Sequence, residues 1–307
     1  MPNIRQLEYL VAVADTLNFR SAAERTGTTQ PTVSEQLKAL EDRLGAVLVE
    51  RGRSRVLLTP IGEQVVEIAR RILRDSNEIK QITASGGKEL AGVMRLGLPP
   101  TIGPYLLPLV LPSLHRDFPD LKLYIREEFP DALPRALEAG TLDIVITLLP
   151  VNHSELVSHS LFREPLFLVV GADHPFADRQ SVSRRDLAGQ DVLALERGQQ
   201  LHEVVDALCQ ECGARLRYDF EGTSLDTLRE MVVMGLGVTF LPGLYVRREI
   251  FTDPNLKVLA LNDRAVHRHV GIVWRKSSVL QKSYANLAQF FGRALQSELA
   301  DLARWAR

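Results

Sequence analysis

The chain of 307 residues has little cysteine, few aromatic residues and almost no net charge. Its two cysteines exclude a scaffold held together by disulfides. The 37 Lys and Arg residues nearly balance the 38 Asp and Glu residues, and the net charge of −1, taken as a total, argues against a nucleic-acid partner. The long uncharged run over 96–115 contains five prolines, so the sequence predicts no membrane span.

The remaining composition is that of a soluble globular protein. Hydrophobic residues make up 45% of the chain and charged residues 24%. A length of 307 residues predicts roughly two domains. Residues 1–19 include acidic side chains and lack the layout of a secretory signal peptide, so we expect a cytoplasmic protein.

Three helices are predicted within the first 44 residues. The first has the 3.6-residue period of an amphipathic helix, with apolar residues at positions 4, 7, 10, 11, 14 and 17. The second is short, begins with a capping box over Ser21–Glu24 and ends at Gly27. Thr29 is placed to cap a third helix over 31–44. This order is typical of a helix-turn-helix.

The polar face of the third helix is the candidate for reading DNA bases. Polar side chains near a helix N-terminus suit contacts to base edges and phosphates in the major groove. The candidate residues of this helix are Gln30, Pro31, Thr32, Ser34, Gln36 and Lys38. Two apolar runs then flank a glycine-containing turn over 47–58, which predicts a β-hairpin wing. Its candidates for phosphate or minor-groove contact are Arg51, Arg53 and Arg55.

A plainer interpretation of the same residues is an all-α domain followed by a solvated basic loop. The order of turn, polar-faced helix and arginine-tipped hairpin favours a winged helix-turn-helix, with double-stranded DNA as its partner. Three arginines within five positions concentrate positive charge that the near-zero total hides.

A long helix is predicted after Thr59, with Pro60 in its first turn. Its apolar residues follow the a/d spacing of a coiled-coil seam at positions 61, 65, 68, 72, 79 and 82. The helix ends at a hinge over 85–88, where the sequence is Ser-Gly-Gly-Lys. We interpret it as a dimerising linker that places two winged heads on two half-sites. The alternative is a surface helix packed on its own domain.

From residue 92 onward, predicted strands alternate with helices, which indicates parallel sheets covered by helices. The strand candidates are 93–98, 121–125, 144–148, 168–170, 192–195, 238–241 and 270–274. We find no phosphate-binding loop, no Gly-x-Ser-x-Gly and no cluster of metal ligands in the sequence. We therefore expect no enzyme activity, no metal and no cofactor. A solute-binding protein or an enzyme on similar α/β lobes stays as a distant alternative.

Residues 4–62 resemble the DNA-binding region of the LysR-type transcriptional regulators. The motifs that carry the resemblance are Ala22–Ala23, Thr29–Ser34, Leu40–Glu41, Leu44–Gly45, Arg51 and Leu58–Gly62. The resemblance extends over the whole chain. Through the stretches 100–108 and 223–228, the effector half is most similar to the OxyR, or peroxide-sensor, branch of that family.

This resemblance implies an α/β fold with three parts. They are an N-terminal winged helix-turn-helix at 1–58, a linker helix and hinge at 59–88, and a periplasmic-binding-protein-like effector domain at 89–307. Its two lobes would be lobe I, at about 92–163 and 268–307, and lobe II, at about 164–267. The family implies a small-molecule effector between the lobes. It also implies a dimer or, more often, a tetramer on a pseudo-palindromic operator, with RNA polymerase as a further partner.

Two predicted helix N-termini lie where an effector would bind. Thr101 precedes the helix after the first strand, and Thr223 and Ser224 precede the helix over 225–234. Free amide groups and the positive end of a helix dipole suit a carboxylate or another small anion. The alternative is that these hydroxyls only cap their helices. The family places four further candidates near this cleft, namely Phe129, Pro130, Gln199 and Gln200.

The OxyR-like resemblance implies a reactive cysteine, preceded by a histidine, just before the helix over 201–212. In this chain the two positions hold Gln200 and Gln199, respectively. An amide can neither form a thiolate nor reduce a peroxide. The resemblance leaves a counterpart only for the second, resolving cysteine, at Cys209.

Cys209 and Cys212 both fall in the last turn of that predicted helix, where the negative end of the dipole raises a thiol pKa. Zinc would need a second pair of ligands, so we interpret both as core cysteines. The sequence therefore predicts a LysR-type regulator that responds to a small anionic ligand between two lobes. The alternative is an OxyR-like oxidative-stress regulator with non-standard redox chemistry.

Overall fold

The chain divides into two units in the computed structural model. The structure describes residues 1–51, 56–85, 90–222, 224–262 and 265–305. The first unit is Met1–Gly87 with Glu138–Thr141, and the second is Lys88–Leu137 with Leu142–Arg307. The finer boundaries of domains and lobes given above stay predictions.

The first unit has the element order of a winged helix-turn-helix followed by a long helix. Its elements are α1 (Ile4–Thr16), α2 (Phe19–Arg25), α3 (Gln30–Leu44), β1 (Val49–Arg51), β2 (Val56–Leu58) and α4 (Pro60–Ser85). The two strands pair antiparallel, which confirms the predicted hairpin. We call residues 1–58 the head. The predicted hinge over 85–88 lies outside the described residues, apart from Ser85 at the end of α4.

Side-chain caps set where the helices of the head begin. Thr29 caps α3 as predicted, since its Oγ1 accepts from the Thr32 amide at 3.5 Å. The predicted capping box over Ser21–Glu24 is wrong, because α2 begins earlier, at Phe19. Its N-cap is Asn18, whose side chain accepts from two backbone amides of the first turn.

The core of the first unit joins its helices to the hairpin. Leu10 of α1, Leu37 of α3 and Leu48 before β1 are fully buried. Val66 and Ala69 of α4 are buried in the same cluster. One face of the N-terminal half of α4 therefore belongs to the core of this unit.

The elements after α4 alternate between strands and helices over most of their length. They are β3 (Gly92–Leu98), α5 (Gly103–Asp117), β4 (Leu121–Glu127), α6 (Ala132–Glu138), β5 (Ile144–Leu148), β6 (Leu156–Gly171), β7 (Ser181–Val182), a 3-10 turn (Arg184–Leu187), β8 (Asp191–Leu195), α7 (Gln200–Cys212), β9 (Arg215–Gly222), α8 (Leu225–Val233), β10 (Val238–Pro242), α9 (Gly243–Tyr245), a π-helical turn (Val246–Ile250), β11 (Leu256–Leu261), β12 (Val266–Arg275), α10 (Gln281–Ala294) and α11 (Gln296–Trp305).

The strands form one mixed sheet in the order β4-β3-β5-β12-β6-β10-β8-β9, with β11 beside β6 and β7 beside β11. The pairs β3–β4 and β3–β5 at one end are parallel, as are β10–β8 and β8–β9 at the other. In the centre, β12 pairs antiparallel with both β5 and β6, and β10 pairs antiparallel with β6. The prediction of parallel sheets is therefore confirmed at the two ends and wrong in the centre.

Two long strands connect the halves of this sheet. β6 has 16 residues and β12 has 10, and they pair along the whole of β12, with one irregularity between Val270 and Gly271. We call the half with β3, β4 and β5 lobe I, and the half with β8, β9 and β10 lobe II. Because β6 and β12 run through the middle, both lobes share them. The predicted two-lobed α/β architecture is confirmed.

Candidate DNA-binding surface and effector cleft

The outer face of α3 carries the predicted base-reading residues. Val33, Leu37 and Leu40 are fully buried and fix the opposite face of the helix to the head. Of the predicted set, the exposed residues are Gln30, Pro31 and Lys38, and the half-buried ones are Thr32, Ser34 and Gln36. The N-terminal half of α3 thus presents polar side chains to solvent, as the predicted role in base reading requires.

Gln36 and Thr32 both have partners within the head. The Gln36 amide oxygen accepts from Nε2 of the buried Gln6 at 3.3 Å. The hydroxyl oxygens of Thr32 and Thr29 lie 2.9 Å apart. Gln36 therefore ties α3 to α1, which makes the exposed residues of the set better candidates for base contact.

The wing is attached to α3 through one carboxylate. Glu41 Oε1 accepts from the backbone amides of residues 48–49 at 2.8 and 3.0 Å. Arg51 ends β1, and Arg53 and Arg55 lie outside the described residues. The part of these three arginines in DNA binding stays a prediction.

One stripe of α4 exposes four isoleucines. Ile61, Ile68, Ile72 and Ile79 are 54%, 49%, 40% and 63% exposed. Their spacings of seven, four and seven residues keep them on one face of the helix. Val65, which the predicted seam included, is half-buried against the core of the first unit, so the stripe is narrower than predicted. An aligned apolar stripe of this kind marks an interaction surface.

A fully buried ion pair lies in the centre of the effector sheet. Arg268 Nε donates to Glu164 Oε2 at 2.6 Å, and the two side chains are 1% and 0% exposed. The other carboxylate oxygen accepts from the Leu244 amide, in α9, at 2.8 Å. Since Glu164 lies on β6 and Arg268 on β12, the pair joins the two strands that both lobes share.

Thr101 contacts this ion pair and does not cap a helix. Its Oγ1 and its carbonyl oxygen accept from Nη1 and Nη2 of Arg268 at 3.3 and 2.8 Å. The N-cap of α5 is Ile102, which makes no side-chain cap bond, so the interpretation of Thr101 as a cap is wrong. Thr101 is buried, and it connects the β3–α5 loop of lobe I to the centre of the sheet.

Gln199 and Gln200 lie where α7 of lobe II meets lobe I. Gln200 Oε1 accepts from the Thr147 hydroxyl at 3.2 Å and from the Leu148 amide at 3.3 Å, both at the end of β5. Gln199 is buried and is the N-cap of α7, but its side chain makes no cap bond. These two amides therefore stand at the junction of the lobes, where the effector was predicted.

The N-terminus of α8 is occupied by groups of the chain itself. Ser224 caps the helix, because its Oγ accepts from the Thr227 amide at 3.2 Å. Asp226 in the first turn accepts from the Tyr245 hydroxyl at 2.9 Å. Thr223 lies outside the described residues. A carboxylate already at this helix end disfavours a second anion there.

Phe129 and Pro130 lead into α6. Phe129 is exposed and Pro130 is buried. Their carbonyl oxygens accept from the amides of Ala132 and Leu133 at 2.9 and 3.3 Å, which begins the helix. Effector binding by these residues, and by the other five candidates, stays a prediction.

Both cysteines are free thiols in the last turn of α7. Cys209 is buried, and this burial raises the pKa of its thiol to about 12. Cys212 is half-buried, and its thiol donates to the Cys209 carbonyl oxygen at 3.7 Å. Both belong to the hydrophobic core or pack against it, as predicted, and Cys209 is the more buried of the two.

Neither metal-binding nor membrane-spanning features are found in the described part of the chain. No three His, Cys, Asp or Glu side chains among the described residues are grouped so that they could hold a metal ion. Of the described helices, none is long and apolar enough to cross a membrane.

Glu164 and Arg268 were not among the residues predicted from the sequence. Each lies just before a run of buried residues, at 166–170 and at 270–274, and the neighbouring Arg163 is exposed and does not share the burial of Glu164. A buried charge needs a partner of opposite sign. One acid and one base, each just before the buried run of a core strand, are the signal that would have paired them.

Both parts of the chain match family profiles. Residues 4–63 match the bacterial regulatory helix-turn-helix protein of the lysR family, and residues 87–296 match the LysR substrate binding domain. The chain belongs to the LysR family. LysR-family regulators are transcription regulators and not enzymes, and they bind operator DNA and a small-molecule effector and oligomerise.

This LysR-family chain is similar to OxyR proteins over nearly its whole length. The DNA-binding transcriptional dual regulator OxyR of Escherichia coli K12 is 40% identical over 287 residues, which are 94% of each chain. A full-length OxyR cysteine-to-aspartate mutant from Pseudomonas aeruginosa has a TM-score of 0.74 at 34% identity, covering 95% of this chain and 98% of that chain. An H₂O₂-bound OxyR cysteine-to-serine mutant from Corynebacterium glutamicum has a TM-score of 0.68 at 32% identity, covering 99% and 96%.

Proposed function

We propose that this LysR-family regulator is of the OxyR branch and controls genes of the oxidative-stress response. The observation that carries this proposal is the similarity to OxyR across the DNA-binding and effector parts together, at 40% identity over 94% of the chain. As a DNA-binding regulator the protein acts in the cytoplasm.

In this proposal each part of the chain has one task. Residues 1–58 bind a pseudo-palindromic operator, the helix in 59–88 holds two heads together, and 89–307 bind the effector. The exposed isoleucine stripe of α4 supports the second assignment. A change in the arrangement of the lobes would reposition the heads on DNA.

The thiols of this chain are poorly suited to direct reaction with a peroxide. The thiolate is the reactive form of cysteine, and burial raises the pKa of Cys209 to about 12. Where the resemblance places the reactive cysteine, the chain has Gln200, whose amide cannot reduce a peroxide. We therefore infer that the signal is sensed by binding and not by forming a disulfide.

The charges between the lobes favour an uncharged polar ligand over the small anion expected from the sequence. Arg268 is already neutralised by Glu164, and the N-terminus of α8 already carries Asp226. An anion at this helix end would be repelled by Asp226, and Arg268 has no net positive charge left to attract it. The amides of Gln199 and Gln200 instead offer uncharged donors and acceptors. The H₂O₂-bound mutant of the Corynebacterium relative holds a ligand of this class.

Genome-wide mapping of binding sites tests the proposed function. We expect sites with two half-sites, upstream of genes for peroxide removal and oxidative repair. Sites that cluster at genes for the breakdown of one organic acid would support the anionic effector instead. The absence of enriched sites in cells that contain the folded protein would contradict a regulatory function altogether.

Removal of both thiols is expected to leave the transcriptional response intact. A Cys209→Ser/Cys212→Ser variant should respond to H₂O₂ in a promoter-reporter assay within about twofold of the wild type. The buried Cys209 thiol, whose pKa is raised, contributes little thiolate, and the Cys212 thiol already donates to the Cys209 carbonyl oxygen. A Cys209→Ala/Cys212→Ala variant is the control, because it removes both thiols without placing a serine hydroxyl in the core, where the hydroxyl would lower stability. If both variants fold but lose a response that the wild type has, sensing depends on the thiols and our inference is wrong.

Two head variants should separate phosphate contact from base reading. Arg53→Ala is expected to weaken binding to all duplexes and to reduce the slope of log affinity against log salt by about one, because one phosphate contact is lost. Gln30→Ala should mainly reduce the preference for operator over scrambled DNA. Fluorescence anisotropy across a salt series measures both effects. If neither variant differs from the wild type, the DNA surface has been assigned to the wrong residues.

A further inference from the structure

The two lobes also meet beside α5, through a contact between Arg248 and Pro104. Arg248 Nη1 donates to the Pro104 carbonyl oxygen at 2.9 Å. Pro104 lies in the first turn of α5 in lobe I, and Arg248 lies in the π-helical turn that follows α9 in lobe II. The bond therefore joins segments 144 residues apart that belong to different lobes.

The sequence explains why this carbonyl group is available to a partner outside its helix. In an α-helix, the carbonyl of residue i accepts from the amide of residue i+4. Four positions after Pro104 comes Pro108, which lies inside α5 and has no N–H. Pro108 therefore cannot give Pro104 its helical partner, and Arg248 provides a donor in its place.

An aromatic pair lies next to this bond. The rings of Tyr105 in α5 and Tyr245 in α9 meet edge to face, with 5.1 Å between their centroids and an angle of 83° between their planes. Such pairs add stabilisation beyond the area that they bury. Tyr245 is fully buried, and its hydroxyl donates to Asp226 of α8. The contact thus extends from α5 into two helices of lobe II.

We propose that Arg248, Pro104, Tyr105 and Tyr245 form a clasp that holds the two lobes in one arrangement, and that opening the clasp changes the output of the regulator. The Arg248 side chain is about half exposed, at 53%. An exposed contact of this kind is weaker than the buried Glu164–Arg268 pair, so the clasp can open while the centre of the sheet stays intact. The claim that the clasp holds the lobes depends on the fold alone. The claim that opening the clasp changes transcription rests on the proposed function.

Hydrogen–deuterium exchange of the full-length protein, without DNA or added ligand, tests the clasp. The Leu148 amide donates to Gln200 across the lobes, so its exchange reports their separation. Arg248→Met removes the charged donor but keeps a long side chain, and should speed exchange of the Leu148 peptide about tenfold. The control is Arg116→Met, an exposed arginine of α5 beside Asp117, which should change nothing. Wild-type exchange in Arg248→Met would overturn the clasp.

Two proline variants test the origin of the free carbonyl. Pro108→Ala and Pro112→Ala each restore one amide inside α5, but only the amide at 108 can serve Pro104. Both should slow exchange within α5. Only Pro108→Ala should speed exchange at Leu148, by about threefold, because the new amide at position 108 competes with Arg248 for the Pro104 carbonyl oxygen. Equal Leu148 exchange in the two variants would show that Pro108 has no such role.

A reporter assay tests the regulatory part separately. Without a signal, Arg248→Met should change basal transcription at least about threefold, since a population shift follows from even a modest change in the stability of one state. Unchanged basal transcription together with faster Leu148 exchange would overturn the link to regulation and leave the clasp in place. A genome map without binding sites would contradict the proposed function but would not affect the exchange result.

Discussion

Replacing Glu164 by leucine is expected to lower the free energy of unfolding of the effector domain by about 3–5 kcal/mol. Glu164 and Arg268 form an ion pair at 2.6 Å in which neither side chain is more than 1% exposed. The substitution leaves a guanidinium in the core without its carboxylate and the Leu244 amide without its acceptor. Both losses add the desolvation penalty of an unsatisfied buried group.

Urea unfolding followed by tryptophan fluorescence measures this effect. Trp274, one of the two tryptophans of the chain, is buried in the second unit, so its fluorescence follows the unfolding of that unit. Glu155→Leu is the matched control, because Glu155 is exposed just before β6 and should change stability by no more than about 0.5 kcal/mol. If the urea midpoint of Glu164→Leu equals that of Glu155→Leu, the Glu164–Arg268 ion pair does not stabilise the effector domain as proposed.

A double variant tests whether the two charges act as a pair. Glu164→Leu/Arg268→Met should be more stable than Glu164→Leu alone, because it leaves no charge buried without a partner. It should not regain the full stability of the wild type, since Arg268 also donates twice to Thr101. Losses that simply add across the two single variants would mean that the residues act independently.

The head could be predicted closely because its signals are local. The cap at Thr29 and the glycine at 45 set the ends of α3, which was predicted over 31–44 and is observed at Gln30–Leu44. The hairpin follows from two short apolar runs around a turn. One local pattern in the head nevertheless gave a wrong prediction. Ser21 and Glu24 have the spacing of a capping box, but Asn18 caps the helix.

The centre of the effector sheet could not be predicted in the same way. β6 extends over 16 residues, yet only 168–170 were predicted as strand. Its first half exposes Ser158, His159 and Ser160, so it lacks a buried apolar run. This half is held by antiparallel pairing with β12, more than 100 residues later, and a local pattern cannot show such a pairing.

For the same reason, only some of the contacts of the candidate effector residues could be predicted from the sequence. Local sequence correctly indicated a helix N-terminus at Ser224 and one near Gln200. It could not indicate that Thr101 contacts Arg268, which follows 167 residues later. The expectation of an anionic ligand relied on free helix ends, whereas the structure provides the internal carboxylates of Glu164 and Asp226.

The isoleucine stripe of α4 carries the other large expected effect. An Ile68→Gln/Ile72→Gln variant should dissociate into monomers and lose operator affinity by about 100-fold or more. Both side chains are exposed within one chain, at 49% and 40%. Buried against a partner helix, each would contribute about 1.5–3 kcal/mol, and a symmetric dimer loses each contribution twice. A monomer offers one head to an operator that has two half-sites.

Sedimentation velocity and operator binding of this variant, set beside a matched control, decide what the stripe does. Glu67→Gln/Arg71→Gln introduces the same residue one position earlier on the same helix, leaves the net charge unchanged and alters only exposed positions. Glutamine favours helix more than isoleucine does, so lost helix stability cannot explain monomers. Val66 and Ala69, which anchor α4 to the head, stay unchanged in both variants. If the Ile68→Gln/Ile72→Gln variant still oligomerises and binds DNA as the control does, α4 is a surface helix of its own unit and the heads are joined elsewhere.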